Sequence, residues 1–332
     1  MSKIKKALIL GVTGQDGSYL AEILLEKGYE VHGMVRRSAT GNTRNIEHLI
    51  NDENISEKSF FLERGDLADV TSLYRIISTV RPDEIYNEAD QDHVSWSFAI
   101  PAYSYDITGS AVGRILEIIR QINPSIRYFQ PCTSNMFGDP GEIPQNEETR
   151  FNPKSPYAVA KAFAFMQVKY YREAYGMFAV NGILYNHESP RRTEEYVTRK
   201  ITRAAAMISA GLQKKISLGD MTAEIDWGYA REYMETAQKI LQQDRPEDFI
   251  IATGETHTVR EWLDESFRIV NLNPEDYLEI NPKFLRPTKT GLLVGDISKA
   301  RKSFNYEPKV KFKELVRIMV ESDVKDISSG KK

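Results

Sequence analysis

The sequence predicts a doubly wound α/β fold, a parallel sheet with helices on both faces, followed by a smaller C-terminal α/β lobe. Three observations predict it. Short, nearly continuous apolar runs alternate with helical patterns through about residue 185. A glycine-spaced turn, "GVTGQDG", joins the first run to the first helical segment. After about residue 190 the alternation becomes irregular. Strands covered by helices on both sides read as unbroken apolar runs, because neither face meets water.

The elements follow in order. "KALILGV" (6–12) is a strand and "DGSYLAEILLEKG" (16–28) a helix. "EVHGMVR" (30–36) and "SFFLERGD" (59–66) are strands, a helix starts at Asp69, and "DEIYNEAD" (83–90) is the next strand. One helical stretch spans about 101–122, then comes the strand "IRYFQPCT" (126–133). A helix begins near Pro156, and "FAVNGILY" (178–185) closes the series. Beyond it, "VTRKITRAAAMISAGL" (197–212) is helical, while "KISLGD" and "DFIIATGE" are strands. "TVREWLDESFRIV" and "FKELVRIMVESDVKDI" carry apolar residues three and four apart, the spacing of amphipathic helices.

Composition narrows the function classes. With 41% hydrophobic and 27% charged residues, the 332-residue chain has the balance of a globular protein. A net charge of −3 argues against a nucleic-acid partner held by bulk charge. Gly11 and Gly14 end the first apolar run too soon for a membrane span, and no small-residue cleavage site follows. The single cysteine, Cys132, excludes a disulfide framework and suits a reducing, cytoplasmic compartment. The five histidines show no metal-ligand spacing, so no metal site is expected. Cys132 reads as a small buried hydrophobe, Trp227 and Trp262 as packing of the smaller lobe, and "NEET" (146–149) as a solvated loop.

The chemistry concentrates in three motifs. Gly11, Gly14 and Gly17 lie between a strand and a helix, where glycines let a pyrophosphate approach the backbone and the helix N-terminus favours negative charge. Residues 1–190 are therefore assigned to a Rossmann-like dinucleotide-binding domain. Residues 191–332 form the smaller substrate lobe, partly interleaved with the first. The second strand ends in Arg36 and Arg37, where an acidic residue would suit NAD; arginine accommodates a 2′-phosphate and points to NADP. Asp66 could accept from an adenine amino group or cap the following helix. In "SPYAVAK", Tyr157 and Lys161 are four apart and share a helical face. An ammonium near a phenol favours the phenolate, which makes Tyr157 a base toward a sugar hydroxyl.

In their order, "GVTGQDGSYLAEILLEKGYEVHGMVRRS", "GDL", "TS", "SPYAVAK" and "NHESPRR" resemble the extended short-chain dehydrogenase/reductase family, and within it the GDP-mannose 4,6-dehydratases. The similarity continues through "YVTRKITRAA", "DWGYA", "IATGETHTVREW" and "RPT". The resemblance implies an NADP-dependent lyase acting on a GDP-sugar. Tyr157 would take the C4 hydroxyl proton as hydride leaves to NADP. A glutamate would remove the C5 proton as water leaves C6, and the hydride would return to C6. It implies Thr133, position 135, Tyr157 and Lys161 as catalytic. It implies Gly11, Thr13, Gly14, Gln15, Asp16, Gly17, Arg36, Arg37, Asp66, Leu67, Gln91, Tyr103, Lys161, His187 and Arg192 around the cofactor. Asn186, Lys200 and Arg286 would hold the GDP moiety, and a homodimer or homotetramer is implied.

The chain departs from that pattern where chemistry is expected. Asn135 stands at the base glutamate's position, and an amide has no useful basicity near neutral pH. Glu88, Asp90 and Asp92 bring charge toward the nicotinamide position, Ile225 replaces an expected arginine, and Lys289 an expected glutamate. The alternatives are a GDP-sugar 4-dehydrogenase, reductase or epimerase, or a catalytically silent protein that binds NADP and sugar nucleotide.

Overall fold

The computed structural model describes residues 3–39, 41–281 and 291–330. Its centre is a seven-stranded parallel sheet. The strands are β1 (Lys6–Leu10), β2 (Glu30–Val35), β3 (Phe60–Arg64), β4 (Glu84–Asn87), β5 (Arg127–Thr133), β6 (Ala179–Leu184) and β7 (Phe249–Ile251), in the spatial order β7-β6-β5-β4-β1-β2-β3. Strands β4 and β6 are buried at every position, as their unbroken apolar runs require. The order reverses between β1 and β4. Connections leave the carboxyl ends of those two strands in opposite directions and open a crevice there.

Each face of the sheet has its own core. On one, α1 (Gln15–Glu26) presents Tyr19, Leu20 and Leu24 beside Tyr233 and Met234. On the other, α2 (Val70–Val80), α3 (Ala111–Ile122) and α4 (Pro156–Tyr175) bury Leu73, Ile77, Ile115, Ala164 and Val168. Helix α4 starts where the sequence indicates, with Pro156 in its first turn and the Ser155 hydroxyl accepting from the Ala158 amide. It stops at Gly176, at φ 65°.

The segments after residue 190 feed two bodies. Helix α6 (Ala230–Leu241) and strand β7 belong to the main sheet layer. A separate core gathers α5 (Val197–Ser209), α7 (Val259–Ile269) and α8 (Phe312–Ser328) around Trp227, Trp262 and Phe312, with the two indole centroids 4.9 Å apart.

Three local expectations are revised. Asp69, not Asp66, caps α2, accepting from the Thr71 and Ser72 amides. The stretch 101–122 is not one regular helix. A wide turn, Tyr105–Ser110, separates Pro101–Ser104 from α3, and the Gly109 carbonyl there accepts from the Gln167 side chain at 3.0 Å. The acidic tract is not a solvated loop. The Glu147 carboxylate accepts from the Ile250 amide of edge strand β7 at 2.9 Å, and Lys299 donates to the Asp248 carbonyl just before it at 2.9 Å. An edge strand's unpaired amide is the donor that drew the carboxylate inward.

Candidate active site

The glycine turn sits at the reversal point. Gly11 has φ +82°, and a Cβ there would lie 2.6 Å from the Glu88 carbonyl oxygen at the end of β4. A Cβ on Gly17 would lie 2.4 Å from the Gly11 carbonyl oxygen. The backbones of β1, β4 and α1 therefore approach more closely than any side chain allows. Gly14 completes the turn by donating to the Gly11 carbonyl at 3.1 Å, and Asn45 braces it through the Thr13 carbonyl at 3.1 Å.

The start of α1 is tied to the segment after β6. Gln15 donates to the His187 carbonyl at 3.2 Å and accepts from Ser189 at 2.7 Å. The His187 imidazole contacts Asp16 through Nε2 at 2.9 Å and the Tyr185 carbonyl through Nδ1 at 2.8 Å. Two acceptors suit a doubly protonated ring. Burial opposes charge on this pair, yet their attraction outweighs it: the Asp16 carboxyl is held below its usual range and His187 above its own. Nearby, the Arg192 guanidinium stacks 3.4 Å from the Tyr196 ring centroid and faces the Glu188 carboxylate at 3.5 Å.

At the carboxyl ends of β2 and β3 lies a cavity of about 740 Å³, lined by Arg36, Arg37, Arg64, Asp66, Ser72 and Arg75. Arg36 donates to the Tyr103 hydroxyl at 3.1 Å, and Arg75 holds the Arg64 carbonyl at 2.6 Å. The sequence pattern points to Arg36, Arg37, Asp66 and Tyr103. It does not point to Arg64 and Arg75, whose only local signal is a basic residue ending β3 and another in the middle of the next helix. Leu67 is buried beside this cavity, and its carbonyl accepts from Arg114 at 3.1 Å. A glycine cradle leading to a guanidinium-lined cavity fits a phosphorylated dinucleotide.

On the other side of the crevice, β5 delivers Thr133 and α4 delivers Tyr157 and Lys161. Thr133 accepts from the Asn135 backbone at 3.2 Å and from its side-chain Nδ2 at 3.1 Å. Lys161 lies 5.8 Å from the Tyr157 ring centroid and donates to the Pro131 carbonyl at 2.7 Å. Its closest charged partner is Asp90, at 2.6 Å, with the two side chains 4% and 14% exposed.

That ion pair corrects the expected electrostatics. Burial pushes the Tyr157 phenol above its usual range; Lys161 opposes this, and Asp90 and Asp92 reinforce it. The ammonium still favours the phenolate, but the carboxylate beside it works against that pull. Burial also pushes the Asp90 carboxyl up against the pull of Lys161, and it raises Glu88 further, with Asp16 adding repulsion. One Glu88 carboxyl oxygen is buried without a hydrogen-bond partner. Asp92 accepts from the Tyr196 hydroxyl at 2.8 Å.

The remaining candidates are dispersed. Gln91 is spent on the interior, donating from its backbone to Thr108 at 3.1 Å and accepting from Ser104 at 2.9 Å. Asn186 pairs in register with Trp227 on a short parallel ladder. Lys200 donates to the Ser217 carbonyl at 2.6 Å. Ile225 pairs with His257 in the second body. Arg286 and Lys289 lie outside the described residues. Cys132 is buried against Asn181 at 3.4 Å, and burial pushes its thiol well up, so it is no nucleophile. Among the described residues, no group of three or more His, Cys, Asp or Glu is placed to hold a metal ion.

Known proteins share the fold. A UDP-glucose 4-epimerase from Thermus thermophilus, solved with NAD, superposes at a TM-score of 0.82 with 25% identity, covering 96% of this chain and 98% of its own. A dTDP-glucose 4,6-dehydratase from Bacillus anthracis, also solved with NAD, reaches 0.84 at 21% identity, covering 99% and 100%. Sequence relatives are nearer. GDP-mannose 4,6 dehydratase 1 of Arabidopsis thaliana is 49% identical over 325 residues, 96% of this chain and 90% of its own. The human GDP-mannose 4,6 dehydratase is 48% identical over 339 residues, 96% and 91%. The family model for GDP-mannose 4,6 dehydratase matches residues 8–319, spanning the glycine turn, Thr133, the Tyr157–Lys161 helix and the second body alike. On that whole-length match, the chain belongs to the GDP-mannose 4,6-dehydratase family.

Proposed function

We propose that the protein is an NADP-dependent lyase that converts GDP-mannose to its 4-keto-6-deoxy product, slowed by the amide at position 135. The convergence of Thr133, Tyr157 and Lys161 on the crevice beside the glycine turn carries this reading, together with membership of the family. Gly11, Gly14 and Gly17 would admit the pyrophosphate, and Arg36 and Arg37 would hold a 2′-phosphate, which favours NADP over NAD. Bound there, the cofactor supplies the hydride acceptor and later the donor. Tyr157 removes the C4 hydroxyl proton, and Thr133 holds the oxygen that loses it. Asn186 and Lys200, with Arg286, are the residues assigned to the GDP moiety.

Assembly follows from one surface. Val159, Phe163, Met166 and Tyr170 of α4 are 42–55% exposed and recur four, three and four residues apart, so they form one apolar stripe. A second copy covering this stripe gives the homodimer, from which a tetramer can be built. Among the described residues, no helix is long and apolar enough to cross a membrane. The lone buried Cys132 fits a reducing, cytoplasmic setting.

Incubation with GDP-mannose and NADP, followed by assay of the 4-keto-6-deoxy sugar nucleotide, tests the reading. The parent chain is expected to turn over slowly and Asn135→Glu faster, by about 10²–10⁴, the usual worth of a general base. Absence of product from both would refute it.

A further inference from the structure

The cavity at the ends of β2 and β3 carries more positive charge than Arg36 and Arg37 supply. Four arginines line it, Arg36, Arg37, Arg64 and Arg75, together with two aspartates, Asp66 and Asp69. Among the described residues, none of the four pairs with a carboxylate: Arg36 donates to the Tyr103 hydroxyl, and Arg75 to the Arg64 carbonyl at 2.6 Å. The aspartates are turned to backbone amides instead. Asp69 accepts from Thr71 at 3.1 Å and from Ser72 at 3.2 Å, and Asp66 from Ala68 at 2.9 Å. Their charge remains in the cavity all the same. Arg36 and Arg37 alone would only balance it, and a site of no net charge has little hold on a phosphate dianion. Arg64 and Arg75 bring the lining to a net charge of +2. A phosphate monoester, at about −2 near pH 7, matches that charge.

The backbone puts both residues there. Arg64 ends β3 and stands in register with Val35, the residue before Arg36. At Gly65 a Cβ would lie 2.6 Å from Ile76 Cδ1, so its absence lets α2 pack directly on the strand end. Arg75, one residue before Ile76, thereby reaches the Arg64 carbonyl. That bond uses one of five guanidinium N–H donors and leaves the charge in place.

We infer that Arg64 and Arg75 are specificity-determining residues, which give the cavity the positive charge and guanidinium donors that select a 2′-phosphorylated dinucleotide over its unphosphorylated form. The inference rests on the cofactor reading above and goes beyond it, because the arginines ending the second strand no longer account for the selectivity alone. Arg64 comes from the neighbouring strand and Arg75 from the helix after it, so the phosphate is held from three elements.

Calorimetry of the full chain with NADP and with NAD tests this. Arg64→Met and Arg75→Met keep an apolar stem without the charge. Each is expected to weaken NADP binding about tenfold, the worth of one charge-assisted contact to phosphate, and NAD binding by no more than about twofold. Arg64→Lys, which keeps the charge and loses the planar fork, should fall between. Asp69→Asn keeps a good helix cap and removes a negative charge from the lining. It is expected to tighten NADP binding by about twofold to fivefold and to leave NAD unchanged. Should a methionine variant fail to fold, Arg64→Lys and Asp69→Asn carry the test. An unchanged NADP-to-NAD ratio in either methionine variant, or in Asp69→Asn, would overturn the assignment. If those ratios hold while Arg36→Ala and Arg37→Ala still lower theirs, the NADP reading stands and only this inference falls. A parent chain that binds both dinucleotides equally overturns both.

Discussion

The Lys161 ammonium and the Asp90 carboxylate face each other at 2.6 Å inside the crevice, with the lysine's second bond going to the Pro131 carbonyl. This contact joins the turn beyond β4 to the helix that carries Tyr157. It decides how much of the lysine's charge the phenol can feel.

Asp90→Asn keeps an acceptor for Lys161 and removes the opposing charge. The Tyr157 phenol should then ionise more readily, and proton removal at pH 7–8 should speed up by about tenfold, one unit in the phenol's ionisation. The same change strands a buried ammonium and should cost about 3 kcal/mol of stability. Single-turnover absorbance at the reduced-nicotinamide band measures the first, and urea unfolding the second. A slower variant of unchanged stability would show the ion pair to be neither a brake nor a brace.

Arg36 and Arg37 should separate the two nicotinamide dinucleotides. Each Arg→Ala change is expected to weaken NADP binding by about tenfold, the worth of one charge-assisted phosphate contact, and NAD by no more than about twofold. Calorimetry at two salt concentrations checks this, because the loss should shrink as ionic strength rises. Equal losses for NAD and NADP would remove the 2′-phosphate from the cavity.

The Asp16–His187 pair gives a pH signature. His187 is held above its usual value, so its stabilisation is complete below about pH 6.5 and is lost as pH climbs through the higher folded value. Asp16 is held below its usual value, so its share is present above about pH 4 and is lost as pH falls through the lower folded value. The pair therefore stabilises most between about pH 4 and 6.5. The melting-temperature difference between the parent and His187→Asn should peak in that window and narrow toward pH 9. A difference that does not vary with pH would mean that the ring is neutral in the folded chain.

Phe163→Glu and Met166→Glu place charge in the middle of the exposed stripe on α4, at positions 50% and 54% exposed. Sedimentation should show the parent as an oligomer and the double variant as a monomer of unchanged circular dichroism. A monomeric parent would remove the proposed interface.

The fold was legible because its signals are local. An apolar run meeting Gly11, Gly14 and Gly17 marks a strand, a turn and a helix within a few residues. Tyr157 and Lys161 share a helical face by spacing alone. What pairs with Lys161 was not legible, because Asp90 reaches it from another strand's end. The Glu147 contact with Ile250 joins residues 103 apart, and a polar tract gives no hint of an amide waiting at a sheet edge. Arg64 and Arg75 are silent in the sequence for the same reason, since strand β3 and helix α2 bring them to the cavity of Arg36 and Arg37.

The carboxylate of Glu147 and the ammonium of Lys299 occupy the outward backbone positions of the last strand on the Phe249–Ile251 side. Foreign strands recruit through such free amides and carbonyls. With both engaged, continuation of the sheet from one subunit into another is closed on that border.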